Sequence, residues 1–409
     1  MSASTLLTLV LALSFPKPHG DWPQWRGPHR NGVIKDLDVP KDWPEKLTEK
    51  WQLEVGEGHS SPLVDAGLVF CLSRVGEAEV VRCLRLEDGS PEWEKSYPAP
   101  YKMHSSAHGH GKGPKSTPAY YKKHLVTFGI SGILSCWNSD NGDLKWRKDF
   151  SDLYQTTSPL YGASQSPLIN RGLCYIHVGG HDDGAFSVFR LSDGKPGWRW
   201  FLDGPAYSSP VYSRMAQREY LIFQSQNSLA GFDIQTGQPL WRKDFTTPYD
   251  QNSVSPTIYR DWIIYSGLKK GIHAIRMNTR RPFEPEVLKV WSNNDKHLYM
   301  SSPVVWRSLL FGMSPQKKGH IFCMSVKKGK VLWEGPGRLG DNAALVSTRT
   351  AIFVLTTAGK LLVLEPNDAG YNERASYDVS PTPTWAHPAF VDDRILVKDR
   401  DTLRCYSWR

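Results

Sequence analysis

Cysteine is scarce in this sequence. Six cysteines in 409 residues are too few for a small disulfide-stapled domain, and none belongs to a Cys-x-x-Cys or adjacent pair, so neither a zinc ribbon nor a redox dithiol is indicated. Several lie in apolar, strand-like contexts, which predicts small buried thiols. The six are Cys71, Cys83, Cys136, Cys174, Cys323 and Cys405.

Long apolar runs are also scarce. The one such run, Leu6 to Phe15, is too short to span a bilayer and has the length of a signal-peptide hydrophobic region. We therefore expect residues 1–20 to be a signal peptide and the protein to be periplasmic or secreted. The alternatives are a buried first strand or a wrongly chosen start codon. No other stretch predicts a transmembrane segment.

No part of the chain concentrates charge of one sign. Fifty Lys and Arg against 41 Asp and Glu give a net charge of +9, but Lys pairs such as Lys122-Lys123 look like hairpin turns or strand edges, where Lys opposes aggregation. A nucleic-acid-binding protein would show a basic stripe with stacking aromatics, so we expect no nucleic-acid partner. The sequence also lacks the Gly-x-Ser-x-Gly, His-Glu-x-x-His and Gly-Lys-Ser/Thr motifs.

Tryptophan, by contrast, is abundant, and a repeat explains where it occurs. The chain has 16 Trp. A small polar residue followed by Pro and an apolar run recurs about every 45 residues, the length of one propeller blade. One further unit lacks the Pro, and there Ala343 to Val346 keeps only the apolar run. With this unit included, the chain has eight units. The repeated prolines are Pro62, Pro118, Pro167, Pro210, Pro256, Pro303 and Pro388.

A second phrase, a turn Gly followed by three residues and then Trp, closes most units in the same phase. Together the two phrases predict an all-β fold, a single eight-bladed β-propeller of four-stranded antiparallel blades. The Trp should lie in the outermost strand and wedge between adjacent blades. These residues are Trp93, Trp146, Trp198, Trp241 and Trp333, with Trp291 closing the fifth unit without the Gly.

The pattern also predicts how the ring closes. The last unit, His387 to Arg409, has only three strand-like runs, whereas Lys50 to Val55 is an orphan outer strand. Pairing the two removes two open sheet edges. We therefore assign residues 48–409 to the propeller and residues 21–47 to an N-terminal strap.

Three stretches of the sequence resemble a known family. Asp233 to Trp241 (DIQTGQPLW) and Ser139 to Trp146 (SDNGDLKW) are similar to the D-x-x-T-G-x-x-x-W docking motif of the pyrroloquinoline-quinone-like (PQQ-like) repeat β-propellers. The opening Asp21 to Pro28 (DWPQWRGP) is similar to the start of uncharacterised, exported bacterial members. The resemblance covers about residues 21 to 409. It implies a fold rather than one activity, since the family includes quinoprotein alcohol dehydrogenases and a scaffold lipoprotein of outer-membrane protein assembly.

The resemblance implies two functional alternatives. Quinoprotein dehydrogenases clamp planar PQQ between a Trp and a disulfide of adjacent cysteines, hold Ca²⁺ with carboxylate and amide oxygens, and use an Asp as base. No cysteines are adjacent here, so the disulfide half of this clamp is absent and PQQ with Ca²⁺ is not supported by it. Some quinoproteins lack the disulfide, and the cofactor therefore stays unassigned. We expect a non-catalytic, monomeric propeller that binds a small polar ligand or a protein partner at one channel face. A PQQ-dependent dehydrogenase is the alternative.

Residues just before each Ser-Pro phrase should ring the channel mouth, because the innermost strand of a blade starts near the axis. Hydrogen-bonding and aromatic side chains dominate there, and such convergent groups hold small polar or planar ligands. A hydrated channel without a ligand is the alternative. The predicted site residues are His59, His108, His110, Lys112, Lys115, Gln165, Tyr207, Asn252, Tyr299, Asn342, Trp385 and His387.

The segment from Met103 to Pro118 is rich in His and Gly. Its imidazoles could ligate Zn²⁺ or Cu²⁺, and His108 and His110 would share a face in an extended chain. Asp341, beside an amide, is a third candidate metal ligand, suited to Ca²⁺. Two other interpretations stay open, an anion cradle of Gly amides with Lys112 and Lys115 or a plain lid loop.

Overall fold

A computed structural model describes residues 21–154, 159–215, 218–278 and 287–409. The predicted signal peptide lies outside these residues. The described chain forms eight four-stranded antiparallel sheets arranged as a propeller ring, which confirms the predicted fold class. Among the described residues, no helix has the length and apolar character needed to cross a membrane.

Each blade is an antiparallel meander whose first strand lies nearest the channel. Blade 1 contains β2 (Leu63–Asp65), β3 (Leu68–Val75), β4 (Ala78–Arg85) and β5 (Pro91–Pro98). Blade 2 contains β6 (Ala119–Tyr121), β7 (His124–Phe128), β8 (Ile133–Asn138) and β9 (Leu144–Asp149). Blade 3 contains β10 (Leu168–Asn170), β11 (Leu173–Gly180), β12 (Asp183–Arg190) and β13 (Pro196–Leu202). Blade 4 contains β14 (Val211–Met215), β15 (Arg218–Gln224), β16 (Ser228–Asp233) and β17 (Pro239–Asp244).

The second half of the ring repeats this plan. Blade 5 contains β18 (Thr257–Tyr259), β19 (Trp262–Ser266), β20 (Ile272–Met277) and β21 (Val287–Asn293). Blade 6 contains β22 (Val304–Trp306), β23 (Leu309–Ser314), β24 (His320–Ser325) and β25 (Lys330–Glu334). Blade 7 contains β26 (Ala343–Ser347), β27 (Ile352–Thr356), β28 (Lys360–Leu364) and β29 (Glu373–Asp378). Blade 8 contains β30 (Ala389–Val391), β31 (Arg394–Lys398), β32 (Thr402–Ser407) and β1 (Thr48–Glu54). Short 3-10 helices lie at Ser105–His110, Ser151–Tyr154, Pro248–Asp250 and Gln316–Lys318.

The N-terminal strand closes the ring, as predicted. Strand β1 pairs antiparallel with β32, with Trp51 opposite Cys405. The buried Lys398 ammonium then donates to the carbonyl oxygens of Gly56 (3.0 Å) and Gly58 (2.9 Å), just after β1. Blade 8 is therefore completed by a strand from the start of the chain, and Lys398 holds the segment that leads from β1 into blade 1.

The Gly and the Trp of the repeat phrase form one contact between neighbouring blades. Trp93 of blade 1 donates its indole N–H to the carbonyl of Ser139 (2.9 Å) in the turn of blade 2. Gly142 in that turn has φ +73°, and a Cβ there would lie 2.6 Å from the Trp93 ring. Only Gly fits, because it has no Cβ and tolerates positive φ. The predicted wedging of Trp between blades is thus confirmed at this seam.

The apolar core also lies mostly between blades. One cluster, for example, packs Phe311 and Cys323 of blade 6 against Ile352 and Leu362 of blade 7. All six cysteines are buried and unpaired, as the apolar contexts predicted. A blade is thus covered by its neighbours rather than by a layer of its own, as expected of stacked repeats.

Candidate binding site in the channel

The residue before each repeated Pro builds a ring of hydrogen bonds around the axis. The amide of Ser61 donates to Thr117 Oγ1 (3.2 Å), that of Thr117 to Ser166 Oγ (2.9 Å), and that of Ser166 to Ser209 Oγ (3.0 Å). The relay continues through two more blades, and the amide of His387 donates to Ser61 Oγ (2.7 Å). We call the accepting hydroxyl groups the hydroxyl ring, formed by Ser61, Thr117, Ser166, Ser209, Ser255 and Ser302.

The hydroxyl ring is interrupted where the repeat loses its Ser-Pro phrase. In blade 7 Ala343 and Ala344 supply no hydroxyl, and the amide of Ala343 donates backwards to Ser301 Oγ (2.9 Å). The recurrence of a small polar residue before the Pro is therefore explained by a structural role. It accepts the main-chain N–H of the preceding blade.

Strand alternation decides which side chains face the channel. Side chains one and three positions before the Pro line a cavity of about 180 Å³. Side chains two positions before the Pro do not line the cavity, because successive side chains of an extended chain alternate in direction. Three positions before the Pro, the lining residues are His59, Lys115, Ser164, Tyr207, Ser253, Met300 and Trp385.

Seven predicted site residues line this cavity, namely His59, His110, Lys115, Tyr207, Asn342, Trp385 and His387. Gln165 and Asn252 do not. They are buried at even offsets and hold main-chain groups, with Gln165 Nε2 donating to Ser208 O (3.0 Å) and Asn252 Nδ2 to Phe245 O (2.7 Å). Tyr299 likewise donates to Gln251 Oε1 (2.7 Å) beside the cavity. None of these three residues lines the cavity.

The His-rich segment is not extended. It contains the 3-10 helix Ser105–His110, which leaves His108 exposed while His110 lines the cavity. Lys112 points outward to Glu77 (3.5 Å), and Asp341 is exposed. Within residues 21–154, 159–215, 218–278 and 287–409, no three His, Cys, Asp or Glu side chains converge as a metal site. The predicted set of His108, His110 and Asp341 is therefore not assembled.

Aromatic rings form the wall of the cavity at the loop end of the channel. The centroid of the His110 ring lies 4.9 Å from that of the Trp385 ring and 5.6 Å from that of the Tyr161 ring, and both contacts are edge to face. Tyr161 in turn meets Tyr207 edge to face at 5.6 Å. Tyr161 was not among the predicted residues, because it lies six positions before its Pro, in the connection leading to the inner strand.

The cavity carries a positive charge that has no hydrogen-bonded counter-ion among the described residues. Lys115 is half-buried, but its ammonium is buried and has no hydrogen-bond partner among the described residues. Burial lowers the pKa of Lys115 to about 8. Burial lowers the pKa of His59 to about 3, with Lys115 contributing, and that of His387 to about 3, so both imidazoles are neutral at pH 7. None of the described lining residues is a carboxylate.

The strap closes the opposite end of the channel. Its residues Trp22, Gln24 and Val33 form bridges to the inner strands of blades 1, 2 and 7. The guanidinium of Arg30 donates hydrogen bonds to three main-chain carbonyls. Nε donates to Pro210 (2.9 Å), Nη1 to Pro167 (2.8 Å) and Nη2 to Ser166 (3.0 Å). The indole of Trp25 lines the cavity there. Trp25 was assigned only to the strap, because it has no place in the repeat.

Arg26, like Arg30, donates hydrogen bonds to main-chain carbonyls. Its Nη2 donates to the carbonyls of Asn31 (3.1 Å) and Pro303. Its Nε and Nη1 are buried without an acceptor among the described residues. Burial lowers the pKa of Arg26 to about 9.

With this geometry in place, comparison with known proteins identifies the family. The family model described as outer membrane protein assembly factor BamB matches residues 77–335, well over half of the chain. The chain belongs to this family of PQQ-like repeat propellers. The outer membrane protein assembly factor BamB of Shewanella oneidensis is 21% identical over 225 residues, covering 53% of this chain. The chain spans 55% of the length of that relative.

Solved PQQ-like propellers share the fold. The quinohemoprotein alcohol dehydrogenase of Comamonas testosteroni superposes with a TM-score of 0.71 at 12% identity, over 95% of this chain and 80% of that one. BamB of Moraxella catarrhalis superposes with a TM-score of 0.62 at 14% identity, over 88% of this chain and 97% of that one. At these identities the likeness establishes the fold alone.

The cavity does not fit the quinone and Ca²⁺ that the dehydrogenases of this fold class would require. The cysteines are single and buried within blades, so no adjacent pair can stack on a quinone. Ca²⁺ needs six to eight oxygen ligands with carboxylates among them, and the described lining residues include none. Lys115 would moreover repel the cation.

Proposed function

We propose that this protein is an exported, monomeric and non-catalytic binding propeller that takes a small polar ligand in the channel cavity, on the face bearing His110 and Trp385. The observation that carries the proposal is the unpartnered ammonium of Lys115 in the cavity. Burying a charge without a partner costs several kcal/mol. Such a group is best explained by a partner that is not part of the chain.

The two buried imidazoles of the cavity are not poised for acid–base catalysis. A general acid or base works best when its pKa lies near the operating pH. The pKa values of His59 and His387 are held by burial near 3, far below that range. Burial also raises the pKa of the Cys71 thiol to about 11, which opposes its use as a nucleophile.

A protein partner is the second candidate. It is supported by the family relationship to an outer membrane protein assembly factor and by the exposed aromatic side chains of β13, where Phe201 is 69% and Trp200 is 39% exposed. Exposed aromatic residues on an unpaired outer strand favour protein contacts. The apolar run Leu6 to Phe15 and the family relationship together support export to the periplasm or beyond.

The proposal is tested with protein purified from the exported fraction. Native mass spectrometry is expected to show a bound small molecule, and Trp385→Ala should lose it, whereas Trp200→Ala on the outer strand should keep it. Dye-linked dehydrogenase assays after addition of PQQ and CaCl₂ should show no turnover. Dye reduction that depends on both additions would overturn the proposal in favour of the dehydrogenase alternative.

A further inference from the structure

We propose that the ligand of this cavity is an anion that presents oxygen atoms, a small carboxylate or inorganic oxyanion, seated on the hydroxyl ring beside Lys115. This inference rests on the proposed function, because it names the chemical class that the same cavity takes. Three properties of the cavity carry it: its free hydroxyl protons, its unbalanced charge, and its size and walls.

The hydroxyl ring offers converging donors. A Ser or Thr hydroxyl has one proton to donate and two lone pairs. Each ring oxygen accepts a main-chain N–H of the preceding blade, and these bonds leave its own proton unused. Those protons can therefore serve a guest. The ring members that line the cavity are Ser61, Thr117, Ser166, Ser209 and Ser302.

The charge of the cavity selects the sign of the guest. The Lys115 ammonium lies on one side without a partner, and its nearest acidic groups, Glu57 and Glu79, are not lining residues. A cation would be repelled, and a neutral sugar would leave the ammonium uncompensated. Only an anion satisfies both the ammonium and the hydroxyl protons.

The size and walls of the cavity limit the guest to a small anion. Its volume is about 180 Å³, far below the 300–1,000 Å³ of ordinary ligand pockets. His110 and Tyr161 meet edge to face in its wall, and aromatic edges carry partial positive charge. A carboxylate, phosphate or sulfate with few further atoms suits these limits.

Calorimetric titration of the full exported chain at pH 7 tests the inference. Sodium benzoate, phosphate and sulfate are titrated separately, with chloride as the background salt, so that the organic and inorganic sources of the anion are distinguished. Wild type should bind at least one of them at a single site. Lys115→Met should weaken that binding about tenfold or more, since a buried charge-assisted hydrogen bond contributes about 1.5–3 kcal/mol.

Lys112→Met is the matched control, because Lys112 belongs to the same segment but points outward to Glu77. It should bind like wild type. Absence of binding by all three anions, or equal affinity in wild type and Lys115→Met, would overturn the inference. If Lys115→Met does not fold, wild-type crystals soaked in selenate decide the matter. An anomalous selenium peak against the hydroxyl ring supports it, and a peak only elsewhere, or none, overturns it.

Failure of this inference is distinguishable from failure of the proposed function. If only the ligand class is wrong, a neutral molecule will co-purify with the protein, depend on Trp385, and be unaffected by the three anions. If the proposed function is wrong, PQQ and Ca²⁺ will instead give dye-linked turnover.

Discussion

The two ends of the channel each bury a cation, but they treat it differently. At the strap end, Arg30 donates to three main-chain carbonyls from blades 3 and 4. At the loop end, Lys115 has no partner among the described residues. Burial opposes the charged form of both groups and lowers the pKa of Arg30 to about 9 and that of Lys115 to about 8. The comparison shows that burial alone does not reveal a cation's role, whereas its hydrogen bonds do.

Removing the strap end should have the largest effect. A chain lacking residues 1–55 loses the strap and β1, leaving β32 as an open edge and blade 8 with three strands. We expect loss of cooperative unfolding and formation of oligomers, measured by calorimetry and light scattering. A chain lacking only residues 1–20 is the control and should behave like wild type. A monomeric 1–55 deletion with unchanged Tm would contradict ring closure by β1.

Arg30→Met should produce the next largest effect. It leaves the carbonyls of Ser166, Pro167 and Pro210 without their donor, and each buried unsatisfied group costs about 1–3 kcal/mol. We expect the free energy of unfolding in urea to fall by roughly 3–5 kcal/mol. Arg171→Met, which removes an Arg that is 65% exposed, should cost less than about 1 kcal/mol. Equal losses in the two variants would refute the fastening role of Arg30.

Acid should weaken the fold through the imidazoles of the cavity rather than through the arginines. The folded-state pKa of His59 and His387 is lowered by burial to about 3, below the ordinary value of 6.5. As pH falls below 6.5, the unfolded chain takes up protons first, so stability is lost from there down to about pH 3. Each imidazole contributes roughly 1.4 kcal/mol per pH unit in this window.

The measurement is the free energy of unfolding at pH 7, 6, 5 and 4, compared between wild type and His387→Gln. The variant should show a shallower dependence on pH because one titrating group is gone. Identical slopes in the two proteins would show that His387 keeps an ordinary pKa in the folded state.

Lys115→Met should have the smallest effect on stability. Replacing an unpaired buried ammonium by an apolar side chain is expected to leave the fold unchanged or to stabilise it by up to about 2 kcal/mol. Lys398→Met is the matched contrast, because the Lys398 ammonium donates to four main-chain carbonyls, and it should destabilise clearly. If both variants lost similar stability in urea, Lys115 would be a structural residue like Lys398.

The fold was predictable because its local signals repeat. The phrase of a small polar residue and Pro occurs seven times and the Gly-x-x-x-Trp phrase five times, so one irregular blade did not obscure the ring. Each phrase also has a physical cause, as Gly142 beneath Trp93 and Ser166 beside Thr117 demonstrate. Consistency between local choice and global fold is what makes such a sequence readable.

The site was predictable only in part. Side chains alternate in direction along an extended chain. Selecting only the positions one and three before each Pro would therefore have kept His59 and Lys115 among the predicted channel residues and removed Gln165. His108 was misplaced because a Gly-rich segment has no periodicity to fix its conformation, and here it turns as a 3-10 helix. Trp25 was missed as a cavity residue because the strap reaches the channel axis through long-range contacts, which the repeat pattern does not predict.

The strap and β1 also set an order of events during biosynthesis. Lys398 and Gly56 are separated by 342 positions and Arg26 and Pro303 by 277, so the earliest described segments must wait for the latest ones to emerge. Closing loops of that length is entropically costly and makes folding slow. Until then a nascent chain carries an unpaired edge at β1 and uncovered inner strands, which are liable to misassociate. We expect docking of β1 on β32 to be the last step in closing the ring, once β32 has been synthesised.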